Sequence, residues 1–352
     1  MKKTALAASL LVGLTGIASA APVEPFTGLV VFGDSLSDDG KAGSLAPPSF
    51  GGRWSNGPVW AEYLANSFRA VGAASGNYAI GGATAGDVNT TAYPPSAQPL
   101  ATFDGQVGAF SASGLSNFLG DNPLVTVLFG ANDVFQNLGA PGFDPVDVAN
   151  DVADGIRAVS QLGGKFDDFL LINLPDLTLT PAFGEAARLA AEATGDPVVI
   201  GTQAAISAAA QQATIDFNNQ LAILANDLRT IDGLNIIEFD QDAYLRDVIA
   251  DPSPLGITDT IFPCSLSLGS FDPTANCAVL PDGSIDPTLA NTKVFVDSVH
   301  PTAPVHEYFA ASISAALGDA LPTPTTVPVP AGLPLLLAGL LSFAWLRRTQ
   351  AA

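Results

Sequence analysis

Basic residues are scarce in this chain of 352 residues, where 13 Lys and Arg stand against 34 Asp and Glu. Lys2, Lys3, Arg347 and Arg348 lie outside the stretch from 22 to 330 that holds every acid, so nine bases face 34 acids there, a net charge of −25. A surface of that sign repels phosphate backbones and anionic head groups, which excludes nucleic acid as a partner. It suits a solubilising shell in salty or extracellular surroundings. Histidine is scarcer still, with only His300 and His306. Two histidines and two cysteines at unrelated spacings fit no zinc pattern, so no metal is expected. The chain has no Gly-x-Gly-x-x-Gly fingerprint and no phosphate loop, and no cofactor is expected. A Gly-x-Ser-x-Gly elbow is missing too, which disfavours the usual α/β-hydrolase arrangement. Gly82-Ala83-Thr84-Ala85-Gly86 has its spacing with threonine in place of serine, a coincidence on this reading.

Cys264 and Cys277 are separated by twelve residues in a Pro/Gly/Ser-rich segment. An even count in an exported chain predicts one disulfide closing a surface loop. Export itself is expected from Met1-Lys2-Lys3, an apolar run from 5 to 17 and then Ala18-Ser19-Ala20, the three parts of a secretory signal peptide covering 1–20. At the other end a Pro/Thr linker, 321–330, leads into a nearly all-apolar run from 331 to 346, followed by Arg347-Arg348. Sixteen apolar residues fall short of the ~20 that span a bilayer comfortably. Val327-Pro328-Val329-Pro330-Ala331, the apolar run and the twin arginines resemble the PEP-CTERM class of sorting tails in its Val-Pro-x-Pro-Ala variant. That resemblance implies transient membrane anchoring of 331–352 until a membrane sorting protease removes the tail; a permanent anchor is the alternative.

Between the ends, 21–320 forms one predicted domain. Strand patterns at 29–32, 78–80, 124–129, 169–173 and 234–239 alternate with helical patterns at 59–70, 106–119, 145–162, 203–230 and 303–317. Such alternation predicts an α/β fold with a parallel sheet. Pro145 after Asp144 reads as a first-turn proline behind an N-cap. The reach from 251 to 292 reads as long loops.

The most informative stretch is Leu29-Val30-Val31-Phe32-Gly33-Asp34-Ser35, a buried strand running into a sharp turn. Open α/β sheets place their chemistry at that edge, so Ser35 is a candidate nucleophile. A serine hydroxyl is weak alone and needs a base, an acid to orient the base and donors for a developing oxyanion. Asp297-Ser298-Val299-His300-Pro301 puts a carboxylate three residues before one of the two histidines. Pro301 keeps His300 out of helical geometry, so Asp297 can reach Nδ1 while Nε2 points to a serine from another strand. His306 falls inside the following helix and reads as a capping or packing residue. For the oxyanion, Asn132 follows the strand pattern at 124–129, and the Gly81-Gly82 pair follows that at 78–80, where glycine lets a backbone N–H come close to substrate.

Taken in order, Gly33-Asp34-Ser35-Leu36, Asn77 with Gly82-Ala83-Thr84, Gly130-Ala131-Asn132-Asp133 and Asp297…His300-Pro301 strongly resemble the successive blocks of the SGNH/GDSL hydrolase family. Gly52-Arg53-Trp54-Ser55-Asn56-Gly57-Pro58 and Asn173-Leu174-Pro175-Asp176 resemble intervening segments, and the likeness runs from about 30 to 310. The resemblance implies a three-layer α/β/α sandwich around a flavodoxin-like, five-stranded parallel sheet. It implies Ser35 as nucleophile, His300 as base, Asp297 as its orienting acid, and Ser35 N–H, Gly82 N–H and the Asn132 amide as oxyanion donors, with Gly81 the lesser candidate. The expected activity is hydrolysis of small-molecule or lipid carboxylic esters. A phospholipase or acyltransferase of the same family, and an inert surface-binding or matrix protein, are the alternatives. Oligomeric state, acyl-chain length and alcohol identity are not encoded in any motif found.

Overall fold

The computed structural model describes residues 25–41, 51–264, 277–278, 280–281 and 285–322. The signal-peptide stretch 1–20, most of the 321–330 linker and the apolar tail 331–352 lie outside these residues. Among the described residues no helix is long and apolar enough to cross a membrane.

Five strands, β1 (Gly28–Gly33), β2 (Ala74–Asn77), β3 (Pro123–Leu128), β4 (Asp168–Ile172) and β5 (Asn235–Phe239), form one sheet in the order β2-β1-β3-β4-β5. Every neighbouring pair is parallel, with Gly28 to Gly33 of β1 facing Pro123 to Leu128 of β3 in register. This is the flavodoxin-like arrangement, and helices cover both faces. Strand residues point alternately up and down, so Val30 and Phe32 enter one core with Val125, Val127, Phe169 and Leu171. Leu29 and Val31 enter the other with Leu124, Leu128, Leu170 and Ile172. On the first face lie α2 (Phe103–Ser113), α4 (Pro145–Ser160) and the inner half of α6 (Pro197–Thr230); on the second lie α1 (Trp60–Ala70), α7 (Gln241–Ala250) and α9 (Ala303–Leu317). Each fully buried Val, Leu or Phe here is worth about 1.5–3 kcal/mol, and two-sided burial explains why the central strands read as unbroken apolar runs.

The five strands match the sequence expectation in number and nearly in place. The exception is β2, found at Ala74–Asn77 rather than 78–80. It is an edge strand, paired on one side only, so its half-buried Ala-Ser-Gly-Asn needs no apolar signature. Tyr78 N–H still donates to Val31 O at 2.8 Å and Ile80 N–H to Gly33 O at 3.3 Å, so the chain follows β1 beyond β2 as far as the Gly81-Gly82 loop. The helix expected at 106–119 runs from Phe103 to Ser113. Thr102 caps its start by accepting from Gly105 N–H, and Gly114 ends it at φ +70°. The helix expected at 203–230 begins earlier, at Pro197 behind the N-cap Asp196. Asp144 and Pro145 open α4 as predicted. Three helices had no sequence expectation: α3 (Ala131–Asn137), α5 (Glu185–Ala193) and α7. A one-turn helix, α8 (Pro287–Ala290), interrupts the stretch expected as loop. Cys264 and Cys277 are bridged, their Cα atoms 5.0 Å apart.

Candidate active site

β1 ends at Gly33, and the next turn is closed within itself. Leu36 N–H donates to Asp34 Oδ1 at 3.0 Å and Ser37 N–H to Asp34 O at 3.1 Å. Gln106, fully buried on α2, grips the strand end from the side. It accepts from Gly33 N–H at 3.0 Å and donates at 2.8 Å to Gly33 O, which also accepts from Ile80 N–H at 3.3 Å. Asn77 donates to Ser37 O at 2.7 Å and fixes the far side of the turn. Ser35 is thus presented at the C-terminal rim of the sheet, 7 % exposed.

His300 arrives from the loop before α9. Its backbone is tied into a tight crossing in which Val296 N–H meets His300 O at 2.8 Å and Thr302 N–H meets Val294 O at 2.9 Å. Asp297 Oδ1 accepts from the Val299 and His300 amides at 2.9 and 2.8 Å, while Oδ2 lies 2.7 Å from His300 Nδ1. A carboxylate cannot donate when ionised, so Nδ1 carries the ring proton and Nε2 is left as an acceptor. Nε2 lies 2.8 Å from Ser35 Oγ. Asp297 is 1 % exposed and His300 4 %. A hydroxyl so bonded to an imidazole, itself held by a buried carboxylate, can pass on its proton as it attacks a carbonyl.

The Gly81-Gly82 pair divides cleanly. Gly81 N–H donates to Asp38 Oδ2 at 2.8 Å, so its hydrogen is spent. Gly82 sits at φ +87° and its N–H meets no acceptor among the described residues. A Cβ there would stand 2.9 Å from Thr91 Oγ1 and Tyr93 Oη, so both the backbone angle and the space require glycine. Its carbonyl is held by Asn89 Nδ2 at 2.9 Å and Gln136 Nε2 at 3.2 Å. Asn132, on the first turn of α3, donates one amide hydrogen to Ala83 O at 2.9 Å and keeps a second. Its neighbour Asp133 accepts from Ala85 and Gly86 N–H at 2.9 and 3.2 Å. Asn132 and Asp133 therefore clamp the loop that carries Gly82.

Ser35, His300 and Asn132 line one cavity of about 40 Å³, walled by Leu36, Leu128, Ala131, Phe135, Leu174 and Leu177 among others; Gly82 is not in its wall. Asp34 also faces this cavity. Burial pushes its carboxyl up to about 7 and that of Asp133 to about 6. His306 is buried outside this cavity: its Nδ1 accepts from Trp60 N–H at 3.4 Å, and burial pulls it down to about 3, which makes it a neutral packing residue as expected. Sequence reasoning missed the supports, namely Asp38, Asn89, Gln106 and Asp133. Asp133 falls within a quoted block and Asp38 lies two residues beyond another, but Gln106 and Asn89 carry no motif.

The sequence profile described as GDSL-like Lipase/Acylhydrolase matches residues 29–313. The chain belongs to the GDSL-like lipase/acylhydrolase family. A phosphatidylcholine-sterol acyltransferase of Aeromonas hydrophila is 30% identical over 345 residues, covering 87% of this chain and 94% of that protein. An acetylesterase of Thermothelomyces thermophilus is 28% identical over 171 residues, 44% of this chain and 55% of its own length. Among solved structures, a catalytic mutant of an acetylxylan esterase from Geobacillus stearothermophilus is similar with a TM-score of 0.41 at 13% identity, covering 85% of this chain and 97% of that one. With the family in place, the serine, histidine and asparagine assembled at the rim are the residues in which its chemistry is to be sought.

Proposed function

We propose that this member of the family is an exported serine esterase that cleaves carboxylic esters through an acyl-enzyme. The observation that carries the reading is the unbroken hydrogen-bonded line from Asp297 Oδ2 through His300 to Ser35 Oγ, at 2.7 and 2.8 Å. Ser35 Oγ attacks the ester carbonyl as its proton passes to His300 Nε2. The oxyanion that forms meets the N–H groups of Ser35 and Gly82 and the remaining amide hydrogen of Asn132; each such donor is worth about 10²–10³ in rate. His300 returns the proton to the leaving alcohol. Water then attacks the acyl-enzyme with His300 again as base, and Ser35 recovers its proton as the acid departs. Asp297 keeps the ring in the productive tautomer and offsets the charge it gains. The apolar cavity beside Ser35 suits the acyl group, since it offers carbon rather than donors.

Export through 1–20 and sorting of the 331–352 tail by a membrane protease belong to the same proposal, resting on their sequence patterns. A second reading, transfer of the acyl group to an alcohol instead of water, is favoured by the acyltransferase that matches 87% of the chain. It uses the same first half-reaction and differs only in what attacks the acyl-enzyme.

The test is hydrolysis of a series of p-nitrophenyl esters by the mature domain, beside phospholipid with and without a sterol acceptor. Ester cleavage that disappears in Ser35→Ala, together with fluorophosphonate labelling of the unaltered protein only, is the expected result. Sterol ester formation outpacing fatty-acid release would move the assignment to acyl transfer. A chain that neither labels nor hydrolyses any ester in the series would be an inert binding protein, and the enzymatic reading would be abandoned.

A further inference from the structure

His300 has its two ring nitrogens engaged in the plane of the ring, and one face of that ring is covered by Trp54. The ring centroids are 4.9 Å apart and the planes are tilted by 33°. The segment that carries Trp54 is stitched to both sides of this contact. Arg53 grips Glu62 of α1 with two bonds of 2.6 Å. Ser55 donates to Pro301 O at 3.0 Å, and Asn56 accepts from Ala303 N–H at 2.9 Å, both within three residues of His300. On its other edge the indole abuts the oxyanion loop so closely that a Cβ on Gly81 would stand 1.9 Å from Trp54 Nε1. That indole nitrogen is buried and has no acceptor among the described residues. An unpaired buried N–H costs about 1–3 kcal/mol, so fold stability alone does not favour this placement.

We infer that Trp54 is a positioning residue for His300: its indole face holds the imidazole in the plane shared by Ser35 and Asp297 and favours the imidazolium that forms while the proton is in transit. This rests on the serine esterase reading. An electron-rich indole face attracts a cation placed over it, more than a phenyl face does and far more than an aliphatic side chain. The charge on His300 appears between Michaelis complex and acyl-enzyme, so the contact strengthens in the transition state and is expressed in kcat. The other charged or titratable groups facing His300 are Asp297 on its own loop, Asp34 on the turn after β1 and His306 on α9, and all remain in place when Trp54 is changed.

The experiment compares Trp54→Phe and Trp54→Leu with the unaltered protein in p-nitrophenyl ester hydrolysis across pH. The same pair is examined in a Ser35→Ala background by following the ring signals of the two histidines in NMR, with His306→Gln to identify them. Expected are a kcat lowered about tenfold in Trp54→Leu and two- to threefold in Trp54→Phe, with KM little changed, as the strength of a cation–aromatic contact implies. The acidic limb of the kcat/KM profile should also move to lower pH in the leucine variant, and the position-300 ring signal should follow it. Equal losses in both variants with an unmoved acidic limb and ring signal would reduce Trp54 to packing and overturn the inference. Unaltered kcat in Trp54→Leu would overturn it too. The NMR arm needs no turnover, so a chain without esterase activity would strike the enzymatic reading while the Trp54–His300 coupling is still read.

Discussion

Two loops meet at the rim of the sheet, and they are built differently. In the loop around His300 the carboxylate acts locally: Asp297 organises the Val299 and His300 amides and the His300 ring, all within three residues, while Ser55 ties down Pro301 from afar. The loop around Gly82 is held partly by its own Asn89 and otherwise from distant segments. Asp38 takes Gly81 N–H from 43 residues away, Gln136 holds Gly82 O from 54, and Asp133 takes two further amides from 47 and 48. Burial pushes the carboxyls of Asp38 and Asp133 above their ordinary range, the latter to about 6, although both oxygens of each accept amide hydrogens. Asp34 has one intraloop donor from Leu36 and is pushed to about 7. The Asp297–His300 pair is thus assembled from bonds local in sequence, while the loop of Gly82 is held from several elements and by carboxylates that burial makes costly to keep charged.

Breaking the locally assembled pair should have the largest effect. Asp297→Asn leaves an amide oxygen for the backbone donors but presents the wrong partner to Nδ1, so kcat should fall by roughly 10³–10⁴ with little change in thermal stability. Steady-state kinetics beside thermal unfolding would check this, and a loss of less than tenfold would mean that another group orients His300. On the side of the Gly82 loop, Asn132→Ala should lower kcat by about 10²–10³ with KM nearly unchanged. A change confined to KM would place Asn132 in ground-state binding instead.

The smallest effect sharpens the comparison through pH. Asp34 and Asp133 bind protons in the folded protein up to about 7 and 6, against about 4 in an unfolded chain. Between pH 4 and 7 the folded state therefore holds more protons, so their contribution to stability falls as pH rises through that window and levels off above it. The dependence should amount to about 1–3 kcal/mol and flatten in Asp34→Asn. Asp176 and Asp259, held low by hydrogen bonds and by Arg246 and Lys293, have the opposite sign and matter only towards pH 4 and below. Thermal unfolding at pH 5, 6, 7 and 8 reads this directly; a midpoint that rises with pH in this range would show that other groups dominate.

The same division separates what could be read in the chain from what could not. Strands β1, β3 and β4 are buried on both faces, so their apolar runs announce them, and Ser35 follows because a run ending on Gly-Asp-Ser has to turn. Asp297 and His300 are three residues apart with a proline behind, and their partnership is a matter of local reach. Trp54 stood in a recognisable segment, yet nothing in its neighbours signals that it covers His300, because Pro301 and Ala303 anchor that segment from about 250 residues away. Edge strand β2 escaped because a half-buried strand is set by what packs on it, and α3, α5 and α7 because helices of 7, 9 and 10 residues offer too few turns to stand out.

By itself, then, the order of residues determined the parallel sheet, the turn bearing Ser35 and the Asp297–His300 pair, since each depends on burial pattern or on contacts a few residues long. Only the folded chain decided which glycine of the pair keeps a free N–H, that Asn132 and Asp133 clamp its loop, and that an indole lies on the imidazole. Those outcomes depend on hydrogen bonds and contacts between segments tens to hundreds of residues apart, whose meeting is fixed by packing on the two faces of the sheet rather than by anything adjacent in the sequence.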